Sequence, residues 1–228
     1  MKKWLTMVFL PVLLLLFLSS PIPAGADPSI IDSYDVVIDV GHGGVDGGTS
    51  ANGVLEKDLN LIFGRKLMKE LQQKSYHVGI TRLDDYSLSD DSPFPHLRRH
   101  LRDLRQRKLI ADALKPKVFI SLHVNWSKHK QRRGPLIIYQ VSGKSYHLAR
   151  IVQEHLNNYY KIDKHPQRGN PYFLMKHLDM PSIIVELGYI SNGEDFHVLT
   201  DEQSQNEIVS VLVHAIDEYL LLYPAEGA

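Results

Sequence analysis

Residues 35–60, DVVIDVGHGGVDGGTSANGVLEKDLN, limit the folds open to this chain more than any other stretch. Val36, Val37, Ile38 and Val40 form a short branched apolar run of the kind that fills a buried strand. Gly41, Gly43, Gly44, Gly47 and Gly48 then interrupt regular structure and leave His42 on a permissive turn. Glu56 stands where a helical pattern opens. A strand ending in a glycine-flanked histidine, followed by a loop and a carboxylate at a helix start, can bring both side chains to one rim. Zinc accepts histidine nitrogen and carboxylate oxygen together, so His42 and Glu56 are a candidate ligand pair still lacking a third.

The rest of the chain alternates strand and helix signals. Residues 34–40 predict a strand and residues 55–73 a helix, with Leu55, Leu59, Ile62, Phe63, Leu67 and Leu71 on one face. Residues 75–82 read as a second strand, closing a βαβ unit whose strands should be parallel. Residues 83–95 read as a surface loop. Residues 96–113 predict a helix with Leu97, Leu101, Leu104 and Leu109 inward and a basic outer face. Strands follow at 118–124 and 134–141, a helix at 145–159, and a loop at 160–170. Residues 172–178 are ambiguous. A strand at 182–187 and a closing helix at 202–222 complete a single α/β domain.

Residues 1–26 carry a basic start at Lys2 and Lys3, an apolar run from Trp4 to Leu18, and Ala24-Gly25-Ala26 as a small-x-small cleavage pattern. Either a cleaved signal peptide or an uncleaved anchor takes residues 27–228, the expected catalytic domain, across a membrane. Without Lys2 and Lys3, 24 basic residues face 26 acidic ones, a formal charge of −2. That balance gives no reason to expect nucleic acid as a partner. Zero cysteines exclude disulfides, thiolate metal sites and a cysteine nucleophile.

His123, in SLHVN near the end of an apolar strand, is the third ligand candidate. Two histidines and a glutamate are a known catalytic zinc set with a fourth position left for water. Glu186 ends another buried-looking strand, where an unpaired carboxylate is costly and a proton-transfer role is one explanation. Each residue has a plainer account alone. Either histidine can be incidental, Glu56 can serve the helix N-terminus, and Glu186 can sit in a salt bridge. The cluster Lys128, Lys130, Arg132 and Arg133 reads first as a solvated charge run, with acidic glycan or stem peptide as the alternative partner.

The blocks DVGHGGVDGG, LEKDLN, Thr81-Arg82, SLHVN and VELGYISN, in this order, resemble the zinc-dependent N-acetylmuramoyl-L-alanine amidases over about residues 34–222. The chain is most similar to short members of the spore-cortex type without wall-binding repeats. The resemblance implies a mixed, mostly parallel sheet flanked by helices, one Zn2+ per chain on His42, Glu56 and His123, and Glu186 as the catalytic glutamate. It implies cleavage of peptidoglycan between the lactyl group of N-acetylmuramic acid and L-alanine. Asp46 is then a candidate to orient His42, with a turn cap as the rival account, and Asn125 a candidate donor near the substrate. This chain has Val40 and Gly193 where the family often has proline, and Trp126 where it has a small residue. Two other functions remain open here: a zinc peptidase acting on stem peptides, and a wall-binding protein without catalysis. An activator protein is a further expectation, with the product working in the cell wall or forespore-cortex space; no oligomeric state follows.

Overall fold

Strand β1 (Val36–Val40) is wholly buried and sits between two neighbours, as its run of branched side chains requires. The computed structural model describes residues 34–224. The signal or anchor expected at residues 1–26 therefore lies outside the described residues. After β1 come β2 (Ser50–Ala51), β3 (Val54–Leu55), α1 (Glu56–Gln73) and β4 (Val78–Ile80). Then follow α2 (Arg99–Leu114), β5 (Val118–Asn125), β6 (Leu136–Tyr139), α3 (Gly143–Tyr160) and β7 (Gln167–Arg168). The chain closes with α4 (Phe173–His177), β8 (Ser182–Tyr189), α5 (Gly193–Thr200) and α6 (Glu202–Leu222).

The main sheet has the order β4-β1-β5-β8-β6-β7. Strands β4, β1, β5 and β8 run parallel, and β6 and β7 run the other way. The sheet is thus mixed and mostly parallel, and helices cover both faces, the α/β class expected from the sequence. One face packs Val36, Ile38, Val40, Ile120 and Leu122 against α1, α3 and α6. The opposite face, with Val37, Phe119 and Ile184, is covered by α2 and α4.

Several local expectations change. The second strand is only β4, and residues 83–95 contain a 3-10 turn at Leu88–Asp90. The loop expected at 160–170 contributes β7, residues 172–178 hold α4, and α5 precedes the last helix. Ile62 is 38% exposed and Leu109 is 40% exposed, so neither lies inward. Helix α2 instead turns Asp103, Arg107 and Ala111 into the protein. Its basic face is partly internal because a partner waits there: Arg107 Nη1 lies 2.5 Å from Asp39 Oδ1, and its Nε lies 2.7 Å from Asp103 Oδ2. Asp39 also accepts from the hydroxyls of Ser121 (2.6 Å) and Thr81 (3.1 Å). One carboxylate thereby links β1, β5, α2 and the turn after β4.

Burial opposes ionisation of Asp39, but Arg107 and Ser121 outweigh it and hold its pKa below the usual value. Arg107→Met strands Asp39 and Asp103 as buried charges and should lower the unfolding free energy by about 3–5 kcal/mol, read as a fall in the urea midpoint. The unfolded carboxyl takes up its proton first on acidification. The stability from Asp39 is therefore complete above its unfolded pKa and lost as pH falls through the lower folded value. Asp39→Asn should remove that acid-sensitive component; an unchanged acid limb in urea unfolding would contradict it.

Candidate functional site

The carboxyl ends of β1 and β5 and the amino end of α1 meet at one rim. Strands β1 and β5 are register partners through Val40 and Leu122, so His42, just past the end of β1, lies beside His123, the sixth of the eight residues of β5. Glu56 is delivered by the hairpin β2–β3. The hairpin turn is Asn52-Gly53, both with positive φ (50° and 81°), the conformation that lets a two-residue turn match strand twist. Helix α1 begins immediately after it, with Leu55 as its N-cap.

One ligand atom from each of His42, Glu56 and His123 lies within 4.8 Å of the others. Glu56 Oε1 is 3.2 Å from His42 Nε2 and 3.0 Å from His123 Nδ1. A tetrahedron with arms of about 2.0–2.1 Å has edges of about 3.3 Å, so two nitrogens and an oxygen at these separations suit a small tetrahedral cation. Oxygen-seeking calcium is a poor match for two imidazoles.

The surroundings hold the trio in place. His42 Nδ1 is 3.2 Å from Asp46 Oδ1, and Asp46 Oδ2 is 3.3 Å from Arg99 Nη1. Glu56 Oε2 accepts from Thr49 N (2.8 Å), and Oε1 accepts from Val124 N (3.1 Å). Burial alone would raise the Glu56 pKa; its bonds and charge interactions with His123 and His42 reverse that and hold it far below the ordinary range. Burial likewise opposes charge on His123, but Glu56, helped by the charges of Glu186 and Asp39, outweighs it and raises the His123 pKa.

Two of the loop's glycines make room for the ligand side chains. A Cβ on Gly41 would stand 2.5 Å from the His123 ring. Gly48 has a φ of +67°, and a Cβ there would stand 2.5 Å from Glu56 Oε2 and 2.8 Å from His42 Cδ2.

Glu186 lies on β8 as the register partner of His123 on β5, so the two side chains leave the same face. No hydrogen-bond partner meets its carboxylate among the described residues. Burial, the largest influence, pushes its pKa up to about 7 against the opposing charge of His123. Glu186 and His123 line a cavity of about 350 Å³ whose walls include His100, Leu104, Tyr172 and Phe173.

Asn125 is not joined to the cluster: its Oδ1 accepts from Trp126 N at 2.8 Å, a local turn bond. His177, near Glu186 in sequence, packs against Phe173 with ring centroids 4.4 Å apart. The sequence assigned no role to His100, which enters the cavity wall from the start of α2, or to Arg82. Arg82 is buried and donates to the carbonyls of Val40 (3.2 Å), Gly41 (3.1 Å) and Lys57 (2.9 Å). A lone arginine after a short strand offers no periodic signal of such a role.

A family model described as N-acetylmuramoyl-L-alanine amidase matches residues 36–218. The germination-specific N-acetylmuramoyl-L-alanine amidase of Bacillus subtilis is 27% identical over 81% of this chain and 78% of its own length. The CwlD amidase of Clostridioides difficile, solved in complex with the GerS lipoprotein, superposes with a TM-score of 0.77 and 27% identity, over 83% of this chain and 100% of that one. The catalytic domain of CwlV, an amidase of Bacillus (Paenibacillus) polymyxa var. colistinus, gives 0.71 and 30%, over 83% and 99%.

Gly48→Ala should strain the loop and push Glu56 and His42 apart. Divalent metal affinity is expected to fall about 10- to 100-fold, the usual cost of disturbing groups that orient ligands. Equilibrium dialysis measures it, and wild-type affinity in the variant would refute the packing argument.

Proposed function

The chain belongs to the N-acetylmuramoyl-L-alanine amidase family and is an enzyme of peptidoglycan hydrolysis; from that premise we propose that it works with one zinc ion on His42, Glu56 and His123. The observation that carries this reading is the pairing of three converging ligands with Glu186, a carboxylate that has no hydrogen-bond partner among the described residues, in the wall of the adjoining cavity. Zinc held there would supply a Lewis acid that lowers the pKa of a water and polarises the scissile carbonyl.

The chain's own groups do the rest. Asp46 engages His42 Nδ1, which fixes the tautomer and leaves Nε2 as the ligand atom. Glu186 accepts a proton from the attacking water and delivers it to the departing amine of L-alanine. Water adds to the lactyl carbonyl, the carbon–nitrogen bond breaks, and a free lactyl carboxylate and a new L-alanine amino terminus result. Asn125 shapes the turn after β5 in this reading, since its oxygen is engaged by Trp126 N.

We assign the work to the spore cortex or cell wall, after export directed by residues 1–26. Likeness to a germination-specific amidase and to the CwlD amidase supports the cortex. The CwlD complex with the GerS lipoprotein supports an activating partner. Mass spectrometry of the exported product should find Asp27 as its first residue, and an intact Met1 in the membrane fraction would select the anchor.

Glu186→Gln should keep the zinc and lower turnover by about 10²–10⁴, the range for a lost general acid–base group. His123→Ala should lose zinc and activity together. Zinc content and muropeptide products are measured on the same preparations; wild-type turnover in zinc-loaded Glu186→Gln would remove Glu186 from the mechanism. Cuts inside the stem peptide would favour the peptidase, and tight wall binding without any product would favour a binding protein. Because Glu186 must be ionised to accept a proton, activity should rise with pH through a limb at or below about 7, the bound cation moving it downward.

A further inference from the structure

Residues 126–133, WSKHKQRR, leave β5 three positions beyond His123 and carry four of the chain's 26 lysines and arginines. Their backbone is tied down. Ser127 N donates to Ser191 Oγ at 2.9 Å, and His129 N to Ser127 Oγ at 3.1 Å. Asn192 Nδ2 donates to the Lys130 carbonyl at 2.6 Å, and Gly134 N to Asp195 Oδ2 at 2.6 Å. The side chains contrast with this. Trp126 is 51% exposed and has no ring partner among the described residues. Arg133 pairs with Glu194 at 2.9 Å, whereas Lys128, Lys130 and Arg132 are exposed and have no carboxylate partner among the described residues.

A backbone ordered in this way has already met its conformational cost on folding, so it presents its side chains at little further entropic expense. Three unpaired like charges in five residues repel one another, and an anion supplied from outside relieves that repulsion. An exposed indole beside them offers a flat apolar face to the C–H face of a sugar. We propose that this loop is a docking surface for the substrate polymer: Lys128, Lys130 and Arg132 meet stem-peptide carboxylates, and Trp126 packs on a glycan ring. This rests on the amidase reading, because peptidoglycan joins acidic peptides to sugars beside the bond cut at His123. A protein partner fits less well, since a stable protein interface uses about 20–30 residues a side and this patch has eight.

The test uses the full-length, zinc-loaded Glu186→Gln protein, which binds without consuming the polymer, and sedimentation with purified sacculi stripped of teichoic acid. Combined Lys128→Gln, Lys130→Gln and Arg132→Gln should weaken binding by about tenfold, the scale of three exposed ion pairs acting together. The parent should lose binding as salt rises and the triple variant should not. Amidation of the sacculus carboxyls should reproduce the triple variant with the unaltered loop. Trp126→Ala should weaken binding without changing the salt slope, and Trp126→Phe should restore part of it. Equal thermal midpoints exclude misfolding. The proposal is overturned if the parent and triple variant sediment alike, if amidated sacculi bind as well as native ones, or if the triple variant loses only an acidic protein partner. Release of L-alanine amino termini by the wild-type enzyme is scored separately. Normal release with unmoved binding defeats the docking surface alone; no release with loop-dependent binding defeats the amidase reading alone.

Discussion

A strand that ends beneath a functional loop leaves carbonyl oxygens where no neighbouring strand can reach them, and two buried arginines meet them here. Arg107 donates to the carbonyls of Val40 (2.7 Å) and His42 (3.0 Å), and Arg82 donates to those of Val40, Gly41 and Lys57. Two guanidinium groups close together under a loop are costly unless balanced. Burial, helped by the charge of Arg107, pushes the Arg82 pKa down to about 10. Asp39 and Asp103 supply the balance for Arg107. Buried ion pairs of this kind roughly break even against apolar packing in net stability. Their value lies in geometry: His42 has a φ of 60°, uncommon for a residue with a side chain, and Arg107 holds its carbonyl.

That network also explains which parts of the molecule could be read in the sequence. Strands β1, β5 and β8 and helices α1, α3 and α6 announce themselves through branched runs or helical periodicity, because their environment is the apolar core and their pattern reports it. Helix α2 misleads because its internal face holds Asp103 and Arg107, and a helix that buries an ion pair has the composition of an exposed one. The hairpin β2–β3 was open to a local reading through Asn52-Gly53, but its strands have only two residues each, too few for alternation to register. His42 and Glu56 were legible at element boundaries, and His123 and Glu186 as polar residues inside apolar strands that run on to Asn125 and Tyr189. The wall residues His100, Tyr172 and Phe173 were not, since only the packing of α2 and α4 on the sheet brings them there.

The two glutamates of the site show how one rim supplies two kinds of carboxylate. They lie on either side of His123, and both are desolvated, which alone raises a carboxyl pKa. Glu56 has two imidazole nitrogens and two backbone N–H groups to accept from, and its pKa is driven far below the ordinary range. Glu186 meets no such donor among the described residues, and its pKa climbs to about 7. A group fixed as an anion and already bonded by the neighbours of a cation suits the role of ligand. A group that gains and loses a proton near neutrality suits proton transfer. In the proposed mechanism the two roles follow the number of hydrogen-bond donors that meet each carboxylate among the described residues, and they would reverse only if donors moved from around Glu56 to around Glu186.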